Sequence, residues 1–229
     1  MMAENLQLII MGPPGSGKGT QSVALARDIG SIHISTGDLF RYHERLATPL
    51  GVQIQDFIKK GDLVPDDITI TMLKDKIESL PDSVGYILDG FPRTLNQAIA
   101  FDKMLIARDS RLDLVICIDV PDKQLEDRLL GRIVCEECSL VYGNHVDAEY
   151  SGYCKSCGGK LHKRVDDSDK EVIGHRLKKY QEFSLPILDH YQEHGVLHRV
   201  DGTGLVSEVT DAIKKVVANT FKGTLSFNY

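Results

Sequence analysis

Several things are missing from this sequence, and each omission narrows what the chain can be. Across 229 residues no apolar stretch approaches membrane-spanning length. The opening Met1-Met2-Ala3-Glu4-Asn5 has no basic region, and no apolar segment distinct from the run that follows it. A soluble, untargeted protein of the cytoplasm, with no membrane partner, is therefore expected. Positive charge is short too. The 27 Lys and Arg residues face 33 Asp and Glu, a formal net charge of −6, which argues against a nucleic-acid partner. No internal repeat or low-complexity tract occurs, and no Ser-His-Asp or Cys-His set offers a covalent nucleophile. The 42% hydrophobic and 26% charged residues are ordinary for a globular protein large enough for a sizeable core, as one domain or one with insertions.

What is present starts with Gly12-Pro13-Pro14-Gly15-Ser16-Gly17-Lys18-Gly19-Thr20. An apolar run, Leu6 to Met11, precedes it as a buried strand would, and Gln21 to Arg27 reads as a helix. Strand, glycine-rich turn and helix N-terminus make a phosphate cradle. Backbone N–H groups converge on the anion, the helix dipole assists, and Lys18 adds a full charge. Gly15, Ser16, Gly17, Lys18, Gly19 and Thr20 are thus candidate nucleotide-phosphate ligands. Gly19 stands where the motif carries Ser or Thr, so Mg²⁺ is expected to be held more by phosphate oxygens and water than by a hydroxyl at that place.

Further along, Ser31 to Ser35 reads as a strand, and Thr36-Gly37-Asp38 is expected to cap a helix from about Leu39. Residues 36 to 67 are helical with breaks and contain no strand, which suggests a helical insertion. Ile68 to Leu80 is amphipathic. Gly85 to Gly90 predicts a third strand ending in Asp89, and Gln97 to Ala107 a helix. Leu112 to Val120 predicts a fourth strand, Asp122 to Leu130 a helix, and Arg132 is expected on the same face as Arg128. Helical periodicity returns from Asp169 to Gln192, interrupted at Pro186. Val196 to Asp201 predicts a fifth strand, and a helix through Ala218 follows. Strands alternating with helices predict an α/β fold built on a doubly wound, five-stranded parallel sheet. The expected division is a P-loop core (1–35, 69–131 and 168–229), a helical insertion (36–68) and a cysteine-bearing segment (132–167).

In that segment, Cys135-Glu136-Glu137-Cys138 and Cys154-Lys155-Ser156-Cys157 form two C-x-x-C pairs fifteen residues apart. The spacing suits two knuckles on one tetrahedral Zn²⁺, and four thiolates leave no open position, so the ion would be structural. The competing readings are disulfides, disfavoured without a secretion signal, and free thiols. His145 and His162 are possible substitute ligands but read better as surface histidines, and Cys117 reads as a core residue.

Arg41, Arg93, Arg128, Arg132, Arg164 and Arg176 each sit at an element end or an insertion border. Taken singly, most arginines are solvated surface residues. An enzyme that passes a phosphoryl group between two nucleotides, however, needs several such forks. Arg93 is the strongest candidate, because Asp89-Gly90-Phe91-Pro92-Arg93 follows a strand end where α/β sheets bind ligands. Asp89 there can organise water around Mg²⁺. If the acceptor is itself a phosphate, its oxygen is already anionic, and catalysis reduces to positioning and charge stabilisation.

With these motifs in this order, from about Leu6 to Lys215, the chain resembles the adenylate kinases, in the long form whose lid carries a zinc site. The resemblance rests on Gly12 to Thr20 with its Gly-Thr variant, Ser35 to Asp38, Asp89 to Thr94, Asp127-Arg128 with Gly131-Arg132, the four cysteines, and Val200 to Thr203. It implies the reaction ATP + AMP ⇌ 2 ADP on a fixed core with two mobile parts, catalysed by a monomer whose only partners are its nucleotides. Thr36, Arg41, Gly90, Arg93 and Gln97 would hold AMP, with Gln97 on the adenine edge and Leu63 and Val64 lining the pocket. Lys18 and its loop would hold the ATP phosphates, Thr20 and Asp89 would organise Mg²⁺, and Arg128 would cover the ATP adenine. Arg132, Arg164 and Arg176 would clamp the transferring group, the last two also reaching AMP. Val141, Tyr142 and the backbone near Gly204 would flank the donor nucleoside. One departure stands out: after Arg164 the chain carries what looks like one extra residue, which leaves His175 where the family pattern puts its next arginine. A GTP:AMP phosphotransferase or a UMP/CMP kinase are the near alternatives, with Gln97 and the long lid against the latter. A nucleotide-driven switch is the distant one, and it would need fewer phosphate clamps.

Overall fold

The computed structural model describes residues 5–81, 83–143, 152–167 and 169–221. His145 and residues 222–229 of the C-terminal extension lie outside them. Five strands form the central sheet: β1 (Gln7–Met11), β2 (Ile32–Ser35), β3 (Tyr86–Asp89), β4 (Leu114–Asp119) and β8 (Leu197–Asp201). Their order is β2-β3-β1-β4-β8, and every pairing is parallel. The doubly wound α/β sheet expected from the sequence is therefore present.

Strand parity explains the two layers. Leu8 and Ile10 of β1 pack into one core with Leu25 and Ile29 of α1 (Lys18–Ile29), Leu125 of α6 (Asp122–Leu130) and Val209, Ile213 and Val217 of α8 (Val206–Thr220). Ile9 and Met11 point the other way. They meet Leu73 and Ile77 of α4 (Asp66–Glu78), Phe101 and Leu105 of α5 (Leu95–Ile106) and Ile187, Leu188 and Tyr191 of α7 (Lys170–Glu193). Both faces of the sheet are covered, so the strand ends are the places left for ligands.

Between β2 and α4 lie two further helices, α2 (Thr36–Arg45) and α3 (Pro49–Lys60). They cross tightly at Gly51, where an added Cβ would lie 2.0 Å from the His43 carbonyl oxygen. Between α6 and α7 a small antiparallel sheet runs β6-β5-β7, from β5 (Ile133–Cys135), β6 (Val141–Tyr142) and β7 (Leu161–His162). Among its described residues only Val134, Cys135 and Cys154 are buried.

Three local expectations are corrected. The cap of α2 is Ser35, whose hydroxyl accepts from the Asp38 N–H, while Thr36 already lies in the helix. Helix α6 ends at Leu130, so Arg132 lies beyond it and shares no helical face with Arg128. Helix α7 runs unbroken through Pro186, one missing donor being tolerated within 24 residues packed against the sheet. Among the described residues no helix is long and apolar enough to cross a membrane.

Candidate active site

The loop after β1 wraps the N-terminus of α1. Gly17 is the N-cap at φ 89°, a left-handed conformation that a side chain would strain, and no side chain caps the helix. The first N–H groups of α1 are thereby free for an anion. Ser16 contributes a buried hydroxyl that has no partner. Gly19 explains its own departure from the motif: a Cβ there would lie 3.2 Å from Asp89 Oδ2. The carboxylate at the end of β3 comes close to the place the missing hydroxyl would have filled.

A cavity of about 500 Å³ opens above this loop. Gly15, Gly17, Lys18, Gly19 and Thr20 form one wall, and Thr36, Arg41, Leu63, Val64, Asp89, Gly90, Arg93 and Gln97 another. Arg132, Val141, Arg164 and Arg176 come in from the small-sheet side. Residues far apart in the chain thus converge on one crevice. Thr36 donates to the Gly90 carbonyl at 2.9 Å, and Arg93 Nε donates to the same oxygen at 2.9 Å. Gln97 is buried, its Oε1 accepting from the Arg93 N–H at 2.7 Å and its Nε2 donating to Asp66 at 2.8 Å.

Lys18 and five guanidinium groups line this one space, and carboxylates pair with four of the arginines. Asp167, fully buried, accepts two bonds from Arg132 (2.6 and 2.7 Å) and one from Arg176 (2.6 Å). Arg176 also lies 3.1 Å from an Asp166 carboxylate oxygen. Asp38 pairs with Arg41 and lies 3.9 Å from Arg164. The crowding is visible in the acidities. Burial and then the charges of Arg41 and Arg132 bring Arg164 down to about 9. Burial and Arg176 bring Arg93 down to about 10. Lys18, at the floor of the cleft and walled by protein on most sides, is brought down to about 7, first by loss of water and then by Arg93, Arg132 and Arg176 against the opposing pull of Asp89. Asp89 is pushed up by burial, but the His33 ring 3.5 Å away and the Lys18 charge outweigh this and hold it low. His33 carried no sequence motif; only its register opposite β3 brings it to Asp89.

On α7, Arg176 faces the cavity, while His175 turns to Asp62 at 2.7 Å. Ser16, Arg128, Tyr142 and Gly204 do not line the cavity. Arg128 donates to the Gly202 carbonyl at 3.0 Å, Gly204 packs by Glu208, and the Tyr142 hydroxyl lies 3.2 Å from Cys154 Sγ.

The four cysteines converge as their spacing suggests. Cys135 and Cys157 sulphurs are 3.4 Å apart, Cys138 and Cys154 sulphurs 3.6 Å, and all four lie within 4.8 Å of one another with no disulfide formed. Tetrahedral Zn–S bonds of about 2.3 Å require S···S separations of about 3.8 Å. N–H groups of Leu140 and Gly159 point at the Cys138 and Cys157 sulphurs, as the backbone does around bound thiolates. His162 stands apart, 3.9 Å from Glu136. Cys117 is fully buried in β4.

A phosphate loop at the head of a doubly wound sheet, facing a second pocket across an arginine-lined crevice, defines a nucleoside monophosphate kinase. The adenylate kinase family model matches residues 10–196. The chain is 43% identical over 215 residues to the adenylate kinase of Carboxydothermus hydrogenoformans, covering 93% of this chain and 99% of that one. It is 43% identical to that of Symbiobacterium thermophilum (93% and 98% covered) and 40% identical to that of Methanothrix thermoacetophila (93% and 99%). The chain belongs to the adenylate kinase family.

Two expectations come from this geometry. Arg176→Ala should lower kcat by about 10²–10³-fold, the cost of losing one preorganised charge donor, whereas His175→Ala should leave steady-state kinetics within about threefold. Comparable losses in the two variants would contradict the assignment of Arg176 to the crevice. Lys18, brought down to about 7, must rise when phosphates bind beside it, so binding takes up a proton. Calorimetry of ADP binding at pH 8 in buffers of different ionisation heat should show uptake approaching one proton, falling away by pH 6.

Proposed function

We propose that the enzyme catalyses ATP + AMP ⇌ 2 ADP by direct in-line transfer. What supports this most is the single crevice with a phosphate loop on one wall and the Thr36–Arg41–Arg93–Gln97 pocket on the other. ATP phosphates lie on Gly15 to Thr20 and Lys18. The AMP phosphate lies against Arg41, Arg93 and the Gly90 backbone, with its adenine between Leu63, Val64 and Gln97. An anionic oxygen of the AMP phosphate attacks the γ-phosphorus, the bond to the β–γ bridging oxygen breaks, and both products leave as ADP. Lys18, Arg93, Arg132, Arg164 and Arg176 neutralise the charge spread over the transferring group, and no protein nucleophile or base is required. Thr20 and Asp89 hold the water shell of Mg²⁺, which supplies charge neutralisation on the phosphates when bound. Val141, which lines the cavity, flanks the donor nucleoside, whereas Arg128, Tyr142 and the Gly204 turn lie outside the cavity and would reach it only as the 132–167 segment closes.

Residues 36–68 act as the AMP-binding part and 132–167 as a lid over the core. Cys135, Cys138, Cys154 and Cys157 hold a structural Zn²⁺, which lends folding free energy to a segment with little core of its own. Closure excludes water that would otherwise take the phosphoryl group, adenylate kinase lids being a known case of such gating. The crevice is complete within one chain, so a monomer suffices. The reduced thiols suit the cytoplasm.

The deciding assay measures ADP formation with each nucleoside monophosphate and triphosphate. ADP should form only when AMP is present, and Arg93→Ala should reduce turnover by at least about 10²-fold with little change in thermal stability. Phosphate release without AMP would instead mark a nucleotide switch. Metal analysis of the purified protein should find one zinc per chain, and Cys154→Ser should lose it and melt at lower temperature. Metal-free protein of unchanged stability would refute the zinc assignment.

A further inference from the structure

A second cluster of metal-ligating side chains lies outside the crevice, where the C-terminal turn of α7 passes α5. His190 lies in the last turn of α7, His194 caps that helix four residues on, and Asp102 lies on α5. One ring nitrogen of each histidine and one Asp102 oxygen all lie within 4.8 Å of one another. We propose that these three side chains form a binding site for a borderline divalent cation such as Ni²⁺ or Zn²⁺, with water completing the coordination.

Three features carry this. First, the His190 and His194 rings have centroids 4.4 Å apart. Two imidazoles at right angles on one ion, as in the tetragonal or octahedral sites Ni²⁺ takes, each nitrogen about 2.1 Å from it, bring their centroids to roughly 4.5 Å. Second, His194 Nδ1 donates to the His190 carbonyl at 2.7 Å. That bond orients the ring and leaves the lone pair on Nε2, the device by which ligating histidines are commonly held. Third, the site carries negative potential: it sits at the C-terminal end of a 24-residue helix and includes the Asp102 carboxylate. His190 Nε2 and Asp102 Oδ2 lie 2.6 Å apart. Ligation uses the neutral His190 ring with its proton on Nδ1, so the ion takes the place of this hydrogen bond, and the two atoms separate to about 3 Å, the spacing of ligands at right angles and about 2.1 Å from one ion.

The donor set, two nitrogens and one oxygen, selects imidazole-loving first-row ions over Mg²⁺ or Ca²⁺. The three-ligand site is partly open, with His194 exposed and the His190 and Asp102 side chains 17% and 25% exposed, so exchange is expected to be rapid and binding reversible. Its effect is to tie α5 to α7 at the edge of the core formed by Phe101, Leu105, Ile187 and Tyr191. The site thus differs from the cysteine site in ligand type, affinity and place.

The test uses intact protein with its cysteine site zinc-loaded, titrated with Ni²⁺ at pH 7.5 by calorimetry, with melting temperature followed in parallel. Wild type should bind one Ni²⁺ per chain and melt a few degrees higher with it. His194→Gln, at an exposed position, should melt like metal-free wild type, bind Ni²⁺ at least tenfold more weakly, and show no metal-induced rise. Asp102→Asn should weaken binding as well, and serves if the histidine variant folds poorly. No Ni²⁺ bound by wild type, or binding unchanged in both variants, would reduce the cluster to a hydrogen-bonded pair and overturn the proposal.

Discussion

Much depends on one buried carboxylate. Asp167 has no solvent exposure and receives bonds from both Arg132 and Arg176. An unpaired carboxylate at that depth would be untenable, and two guanidinium groups converging without it would repel. Together they form one ionic unit at the wall of the crevice. Because Asp167 belongs to the turn before α7, Arg176 to α7, and Arg132 to the stretch after α6, this carboxylate also joins the small sheet to the core at both of its ends.

The same logic repeats across the crevice. Asp38 sits between Arg41 and Arg164, and Asp89 close to Lys18 and Arg93. Arg41, Arg132, Arg164 and Arg176 each lie against a carboxylate, while Lys18 and Arg93 donate to the Pro13 and Gly90 carbonyls, and such partners restrict the rotamers of these long side chains. Lys18, Arg93 and Arg164 nonetheless hold their protons less firmly than in water, first because burial removes their hydration and then because other cations lie close by.

The parts legible in the sequence were those whose chemistry is local. The phosphate loop needs its glycines, Lys18 and helix start contiguous, and the thiol knuckles need their two-residue gaps, so spacing alone located both. Strand placement followed from apolar runs buried on both faces. What stayed hidden was set by tertiary register. Counting from Arg164 left His175 where the family pattern has its next arginine, although the clamp role was expected of Arg176; in the fold Arg176 reaches Asp167 while His175 turns to Asp62. Counting four from Arg128 put Arg132 on the same helical face, but Gly131 ends α6 first. Gly19 looked like a defect in the motif until Asp89 was seen to occupy the adjacent space.

The small antiparallel sheet shows why metal and charge have to act together. With only Val134, Cys135 and Cys154 buried among its described residues, apolar burial cannot hold its shape, and the thiol cluster fixes it internally. What fixes it externally is polar: Arg132 on Asp167, Arg164 near Asp38, and Arg45 of α2 donating to the Glu136 carbonyl at 2.8 Å. Apolar contacts would bind this segment to the rest of the protein indiscriminately. Contacts made by phosphate-seeking arginines instead weaken or strengthen as anions compete for the same N–H groups. A cluster of four sulphurs inside the segment and ionic contacts at its borders thus do for it what an apolar core does for the rest of the chain.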